Sequence, residues 1–221
     1  MRQVSQEILR KRVPALSRLN TSRKFLFTKD PTLLNKYYEI RANCYRAVED
    51  GPSDFSYEAD ELDRLSDILV VIQNGYVIGG ARLVASTPEN PIKLPVEQDN
   101  FRMKNVFPEY NLQDKTICEF GRIAIAKEFR SFSILEGLCE HLIKKAIDKG
   151  YHYQFSMAPK AQTRCYRRVG HKLNLPYPYI VHENIDVPLK PLEETGKLKM
   201  YLGSLRLPNT IEEQTHSRHA A

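Results

Sequence analysis

From residue 24 onward the apolar positions recur with a period that switches between two and about 3.6, the spacings of strands and helices. Lys24–Thr28, around Phe25-Leu26-Phe27, predicts a first strand. Asp30-Pro31 then offers a capping carboxylate followed by proline at the first helical position. Leu33, Leu34, Tyr37, Arg41, Cys44, Tyr45 and Val48 follow at helical spacing, predicting a helix that runs to about Val48. Ile68–Gln73, Asn74-Gly75 and Tyr76–Ala85 predict a hairpin, because Asn-Gly is the preferred two-residue turn between apolar runs. Thr116–Ala126 predicts another strand, with Gly121 as a bulge. Ile134, Leu135, Leu138, Leu142, Ile143 and Ile147 predict an amphipathic helix ended by Gly150. Tyr151–Met157 reads as a strand, Lys160–Val169 as a helix stopped by Gly170, and Pro176–Leu189 as the last strands. Tyr57–Asp67 is an acidic stretch and Pro88–Pro95 a proline-rich loop.

Hairpins thus join the early strands and helices join the late ones. The expected fold class is α/β (α+β mixed): a mixed central β-sheet flanked by helices in a single domain. That domain is expected over 24–207, between a basic N-terminal extension at 1–23 and a flexible tail at 208–221. Within the extension Val4, Ile8 and Leu9 share one face of a short helix before Pro14, which suits peripheral membrane contact or a mobile tail alike.

With 42% hydrophobic and 27% charged residues over 221, the composition is that of an ordinary globular chain. The longest clean apolar run, Ile68–Ile72, is far short of the ~20 residues that span a bilayer. The N-terminus has charges but no stretch of signal-peptide length, so a cytoplasmic protein is expected. The formal charge of +6 is segregated: residues 1–30 hold eight Lys/Arg against Glu7 and Asp30, and 127–172 hold ten against four acids. Residues 36–64 reverse the balance, with eight acids against four bases. A basic face that meets an acidic partner and a separate polar pocket fit this pattern. Nucleic acid is not expected, because no zinc, helix-turn-helix or RNP-type motif accompanies the basic patch. Cys44, Cys118, Cys139 and Cys165 lie far apart without a CxxC pair or clustered His, so reduced thiols and no metal site are expected.

Four places in the chain can carry chemistry. Arg41 falls on the apolar face of the first helix, where it either meets a buried partner or snorkels to solvent. Asp60, Asp63 and Arg82 form either a salt-bridge network or an anchor for an amine. Glu119 and Arg122 lie on one strand; a bulge at Gly121 brings them together, as an ion pair or with Glu119 as a general base. Tyr166, before Arg167-Arg168-Val169-Gly170-His171, is either a packing residue or a proton donor to a thiolate.

Together these pieces resemble the N-acetyltransferase (GNAT) superfamily, in its branch of acyl-homoserine-lactone (autoinducer) synthases and N-acyl amino acid synthases. Arg41 and Tyr45 match that branch's Arg and aromatic on the first helix, and Asp60 and Asp63 its acidic pair. Arg82 follows Gly79-Gly80-Ala81 as the family arginine does, Phe107 matches the aromatic before the central strand, and Glu119 and Arg122 match the final pair. The resemblance covers residues 24–172 and implies a GNAT-like domain with a splayed central strand. It also implies an N-acyltransferase that moves a long-chain acyl group from an acyl carrier protein thioester to an amino acid, giving an N-acyl amino acid. Glu119 would be the base, acting through water, and Tyr166 the acid. Arg41, Tyr45, Asp60, Asp63, Arg82, Phe107 and Arg122 would form the acceptor site. Backbone N–H groups around Ile123 and Ile125 would stabilise the oxyanion.

No cofactor is expected to be bound; the donor would ride on the phosphopantetheine of the carrier, with acyl-CoA as the other form. The phosphate stretch, Arg130-Ser131-Phe132-Ser133-Ile134, lacks the glycines of acetyl-CoA enzymes and suits a single phosphate held by Arg130 and Ser131. Acyl carrier proteins are acidic, which fits the basic balance over 127–172. The chain has no Trp, whereas autoinducer synthases carry one near their S-adenosylmethionine pocket. Lactone synthesis is therefore the first alternative, and a non-catalytic module that binds acyl chains or the carrier is the second.

Overall fold

Asn74 and Gly75 have φ of 53° and 81°, the left-handed values that close a tight hairpin whose twist matches its strands. They join β2 (Asp67–Gln73) to β3 (Tyr76–Ser86). The computed structural model describes residues 22–46, 57–188 and 199–208. The expected end of the first helix at Val48, the N-terminal helix at Val4–Leu9 and the tail beyond Pro208 lie outside the described residues.

The hairpin sits within a seven-stranded sheet. In spatial order the strands are β1 (Arg23–Thr28), β2, β3, β4 (Ile117–Ile125), β5 (Tyr153–Pro159), β7 (Met200–Arg206) and β6 (Ile180–His182). Every neighbouring pair is antiparallel except β4 and β5, so the sheet is mixed as expected. Alternate side chains along each strand serve opposite faces. One face packs Leu83 and Phe120 under the helices α4 (Phe132–Asp148) and α5 (Lys160–Lys172). On the other, Ile68, Val70 and Ala124 meet Tyr37 and Tyr38 of α1 (Pro31–Arg46). Further along that face, Val84, Ile117 and Phe155 are covered by residues of the segment 92–112.

Local chemistry starts the helices, at Asp30 where the sequence predicts it and at Ser131 where no start is predicted. Asp30 Oδ1 accepts from the Thr32 amide at 2.8 Å, and Ser131 Oγ from that of Ile134 at 3.4 Å. Gly150, at φ 70°, closes α4: its N–H reaches Ile147 O at 2.9 Å and that of Tyr151 reaches Ala146 O at 3.0 Å. Gly80 is demanded by packing. A Cβ there would stand 2.5 Å from the Leu69 carbonyl oxygen and 2.6 Å from the Tyr37 ring. Gly80→Ala is accordingly expected to destabilise by about 1–3 kcal/mol, read as a lower urea midpoint.

The fold departs from the sequence reading at several points. The acidic stretch contains a short helix, α2 (Glu61–Leu65), started by a capping box between Asp60 and Asp63. Another short helix, α3 (Met103–Val106), lies in the segment before β4. The last helix passes through Gly170 to Lys172. It stops at Asn174, whose φ of 50° lets its N–H bond His171 O while the Leu175 N–H bonds Gly170 O, both at 3.0 Å. The strand β7 lies beyond the region expected to hold the last strands. The β4 bulge is centred on Arg122, at φ 54°, rather than on Gly121. Arg82 faces Gly121 and Gly80 faces Ala124, so β4 spends one residue more than β3 over this interval.

That bulge has a consequence for the sheet's middle. β4 and β5 pair only where Ile117–Phe120 run beside Tyr153–Ser156. Beyond this point β4 bends away at its bulge, while β5 keeps to β7 as far as Pro159. The two parallel strands splay apart, and the gap between them is where the chemistry gathers.

Candidate active site

Five charged groups from four segments meet on the α1 face. Arg41 is 3% exposed, Asp63 2% and Arg82 2%, so their charges neutralise one another out of water. Arg41 Nη1 donates to Asp63 Oδ2 at 2.8 Å and its Nη2 to the Glu58 carbonyl at 3.2 Å. Arg82 Nη1 donates to Asp63 Oδ1 at 3.0 Å and to Asp60 Oδ1 at 2.9 Å. The Asp63 carboxylate also accepts the Asp60 amide at 2.9 Å. The Arg41 guanidinium further lies 4.7 Å from the centre of the Tyr38 ring. Arg41 therefore has its buried partner, and Arg41, Asp63 and Arg82 are fully engaged with the protein itself. Their role is to shape the site.

Asp60 and Arg122 are the solvent-facing members of this group. Their side chains are 40% and 30% exposed, with Arg122 Nη2 3.8 Å from Asp60 Oδ2. Partial burial pushes the Asp60 carboxyl up, but Arg82, the Asp63 amide and Arg122 outweigh it and hold it below the usual carboxylate range. The Arg122 guanidinium stands 5.5 Å from the centre of the Tyr45 ring, and its carbonyl accepts from the Tyr37 hydroxyl at 2.6 Å. The positive-φ bulge is thereby pinned to α1.

Glu119 differs from these carboxylates. It is 5% exposed, and Oε2 accepts the Val96 amide at 2.8 Å. Oε1 lies toward Gly121, 3.9 Å from where a Cβ on that glycine would stand. Burial pushes its carboxyl up to about 7, with nearby Glu97 adding to the rise and the Val96 amide, Arg82 and Arg122 only partly opposing it. A carboxylate poised near neutrality at the foot of a cleft can exchange protons at working pH.

The cleft is an open cavity of about 580 Å³ that begins where the strands part. Gly121–Ile125 form one wall, including Arg122, Ile123 and Ile125; Met157, Pro159 and Met200 stand opposite. Tyr45 and Cys44 line it from α1, Phe132 and Leu135 from α4, and Gln162 from α5. Arg130 and Ser131 stand at its edge beside the N-terminus of α4. The Ile125 carbonyl accepts from Arg130 Nε at 3.1 Å and from the Cys44 thiol at 3.3 Å, which ties the end of β4 to the start of α4.

Tyr45, Arg122, Ile123, Ile125, Arg130 and Ser131 are thus gathered at one cleft, while Glu119 does not line it and reaches it only through its approach to Gly121. Two residues singled out by sequence stand elsewhere. Tyr166 is 0% exposed in the core under α5, and its hydroxyl accepts from Gln162 Nε2 at 3.1 Å. Burial raises its phenol well above the ordinary value, away from the roughly 8.5 of an ordinary thiol, so the proton-donor role is corrected to packing. Phe107, 2% exposed, stacks on Tyr110 at 4.9 Å and Phe155 at 5.6 Å in the neighbouring core, so it supports β5 rather than lining the cleft. Gln162, Phe132, Met157 and Met200 were not singled out. Gln162 was within reach, one helical turn before Tyr166 on the same face.

Comparison with known proteins agrees with this geometry. Residues 40–140 match the acetyltransferase (GNAT) domain family. No curated protein matches the chain by sequence. Among solved structures, the fold is similar to FeeM, an N-acyl amino acid synthase from uncultured soil microbes. That likeness has a TM-score of 0.56 at 11% identity, over 85% of this chain and 92% of that one. The acyl-homoserine lactone synthase LasI is similar with a TM-score of 0.54 at 14% identity, covering 85% and 91% of the two chains. BjaI, a CoA-dependent synthase of the same lactone class, gives 0.50 at 13% identity over 90% and 89%. Residues 40–140 thus match the GNAT acetyltransferase domain, and the chain around them shares its fold with these synthases.

Proposed function

We propose that the protein transfers a long-chain acyl group from a phosphopantetheine thioester to the amine of an amino acid, giving an N-acyl amino acid. The observation that carries this reading is Glu119, a buried carboxyl raised to about 7 whose Oε1 lies toward Gly121, a residue lining the apolar-walled cleft. Ile123, Ile125, Phe132 and Leu135 offer the acyl chain an apolar wall. Arg122 and Asp60 bind the carboxylate and ammonium groups of the acceptor. Tyr45 packs beside them.

The step follows from these positions. Glu119, through a water, takes a proton from the ammonium so that the neutral nitrogen attacks the thioester carbonyl. Backbone N–H groups at Ile123 and Ile125 hold the oxyanion while the C–N bond forms. The C–S bond then breaks, the proton held by Glu119 returns to the departing thiolate, and the extra proton left on the tetrahedral nitrogen passes to water. Arg130 and the N-terminus of α4 at Ser131 hold the phosphate of the donor. The exposed face of α5, with Lys160, Arg164 and Arg168, receives an acidic carrier protein. Arg130→Ala is expected to raise KM for the donor about tenfold with little change in kcat, since one charge-assisted contact is lost. A fall in kcat at constant KM would assign Arg130 another role.

Mass spectrometry of a reaction with long-chain acyl carrier protein, the twenty amino acids and S-adenosylmethionine tests the whole. A single N-acyl amino acid is the expected product. A homoserine lactone with methylthioadenosine would make the protein an autoinducer synthase, and an intact thioester on a bound carrier would make it a binding module.

A further inference from the structure

Met157 and Met200 border two cavities at once. The cleft between β4 and β5 holds both, and so does a second cavity of about 280 Å³ beside β5 and β7. Both are half-buried, and they sit two residue pairs apart in the antiparallel ladder, where Met200 faces Pro159 and Leu202 faces Met157. All four side chains therefore share the sheet face that carries Glu119. The second cavity continues the first along that face. Its inner wall combines half-buried Ile185 and buried Val187 with half-buried His182 and Tyr201, while Glu183, Asn184, Asp186 and Lys199 form an exposed outer rim.

We infer that Met157 and Met200 form the end stop of the acyl-chain site and set the longest chain that the cleft accepts. This rests on the proposal that the cleft holds an acyl group. An alkyl chain running along Ile123, Ile125 and Leu135 meets these two side chains before the second cavity opens. Methionine suits a stop of this kind, because its unbranched side chain fills space without fixing a shape. Beyond it the polar rim offers nothing to a methyl terminus, whereas the inner wall between rim and stop can accept a few more methylenes once the stop is shortened.

The test compares the wild type with Met157→Ala, Met200→Ala, the double variant and Met157→Phe. Binding of free saturated fatty acids of increasing length is measured by calorimetry, and the acyl-length profile of thioester consumption is measured alongside. Affinity should climb about fourfold per methylene until the chain reaches the stop, then level off. The double variant should carry that climb at least two carbons further, and Met157→Phe should end it earlier. If the plateau stays at the wild-type length in every variant that binds fatty acid, the end-stop assignment is overturned. Failure of the acyltransferase reading looks different: no thioester is consumed at any length, while the fatty-acid plateau still moves with the methionines.

Discussion

Glu119→Gln should lower acyl transfer about 10²–10⁴-fold, the usual worth of a positioned base, and leave a protein at least as stable as the wild type at pH 8. The two effects have one cause. In the native protein the carboxyl is raised to about 7 from an ordinary 4.5, chiefly by burial, so the native state holds its proton more tightly than the unfolded chain does. Stability then falls as pH rises from about 4.5 to about 7, by about 3 kcal/mol in total, because the charged form must be kept out of water. Glutamine is neutral and keeps an oxygen for the Val96 amide. Urea unfolding at pH 5 and pH 8 should therefore show a wild-type loss that the variant lacks.

Activity runs the other way with pH. Only the deprotonated carboxylate can accept the amine's proton, so kcat/KM should rise about tenfold per unit up to about pH 7 and then level off. The variant should lack that limb. A variant less stable than the wild type at pH 8, or one with near-normal turnover, would remove Glu119 from the role of base.

The second large effect belongs to the buried charges. Asp63→Asn should destabilise by about 3–5 kcal/mol, because it leaves the buried Arg41 guanidinium without a carboxylate and Arg82 with a half-exposed one. Arg41 would lose its only carboxylate contact among the described residues, and Arg82 would keep Asp60 alone. Asp60→Asn should cost about 1 kcal/mol. Its side chain is 40% exposed, asparagine is an equally good cap for α2, and Asp63 still neutralises Arg82. Adding Arg41→Met to Asp63→Asn should recover part of the loss, since the orphaned guanidinium is gone. Denaturant midpoints of the three variants decide the matter. Equal losses for the two aspartates would mean that the network is not centred on Asp63.

Much of this machinery is legible from short stretches. The hairpin at Asn74-Gly75, the helix start at Asp30 and the stop at Gly150 depend on backbone preferences within three or four residues, and each stands where the sequence predicts it. Arg41 on an apolar face signals a buried partner by the same local logic. The identity of that partner, Asp63, is visible only in the folded chain, whereas the matching of Arg82, Glu119 and Arg122 to one site rests on the ordered resemblance. Gly170 shows the limit of a local signal: a helix tolerates glycine inside it when packing holds the turn, and Asn174 supplied the stop instead.

What only the tertiary structure decided is set by contacts between distant residues. Met200–Arg206 is a strand because β5, more than forty residues earlier, offers a free edge, and no pattern within those seven residues announces it. The bulge at Arg122 is defined by register against Gly80 and Arg82, and the splay that follows it exists only because β5 pairs with β7 instead. Burial then separates the candidate residues. It gave Glu119 a proton affinity near neutrality and withdrew Tyr166 from the cleft. The sequence by itself determined the elements, their order and the residues able to carry charge or protons, because these depend on neighbours along the chain. Register and burial depend on neighbours in space, and they decided which of those residues stand together at the opening between β4 and β5.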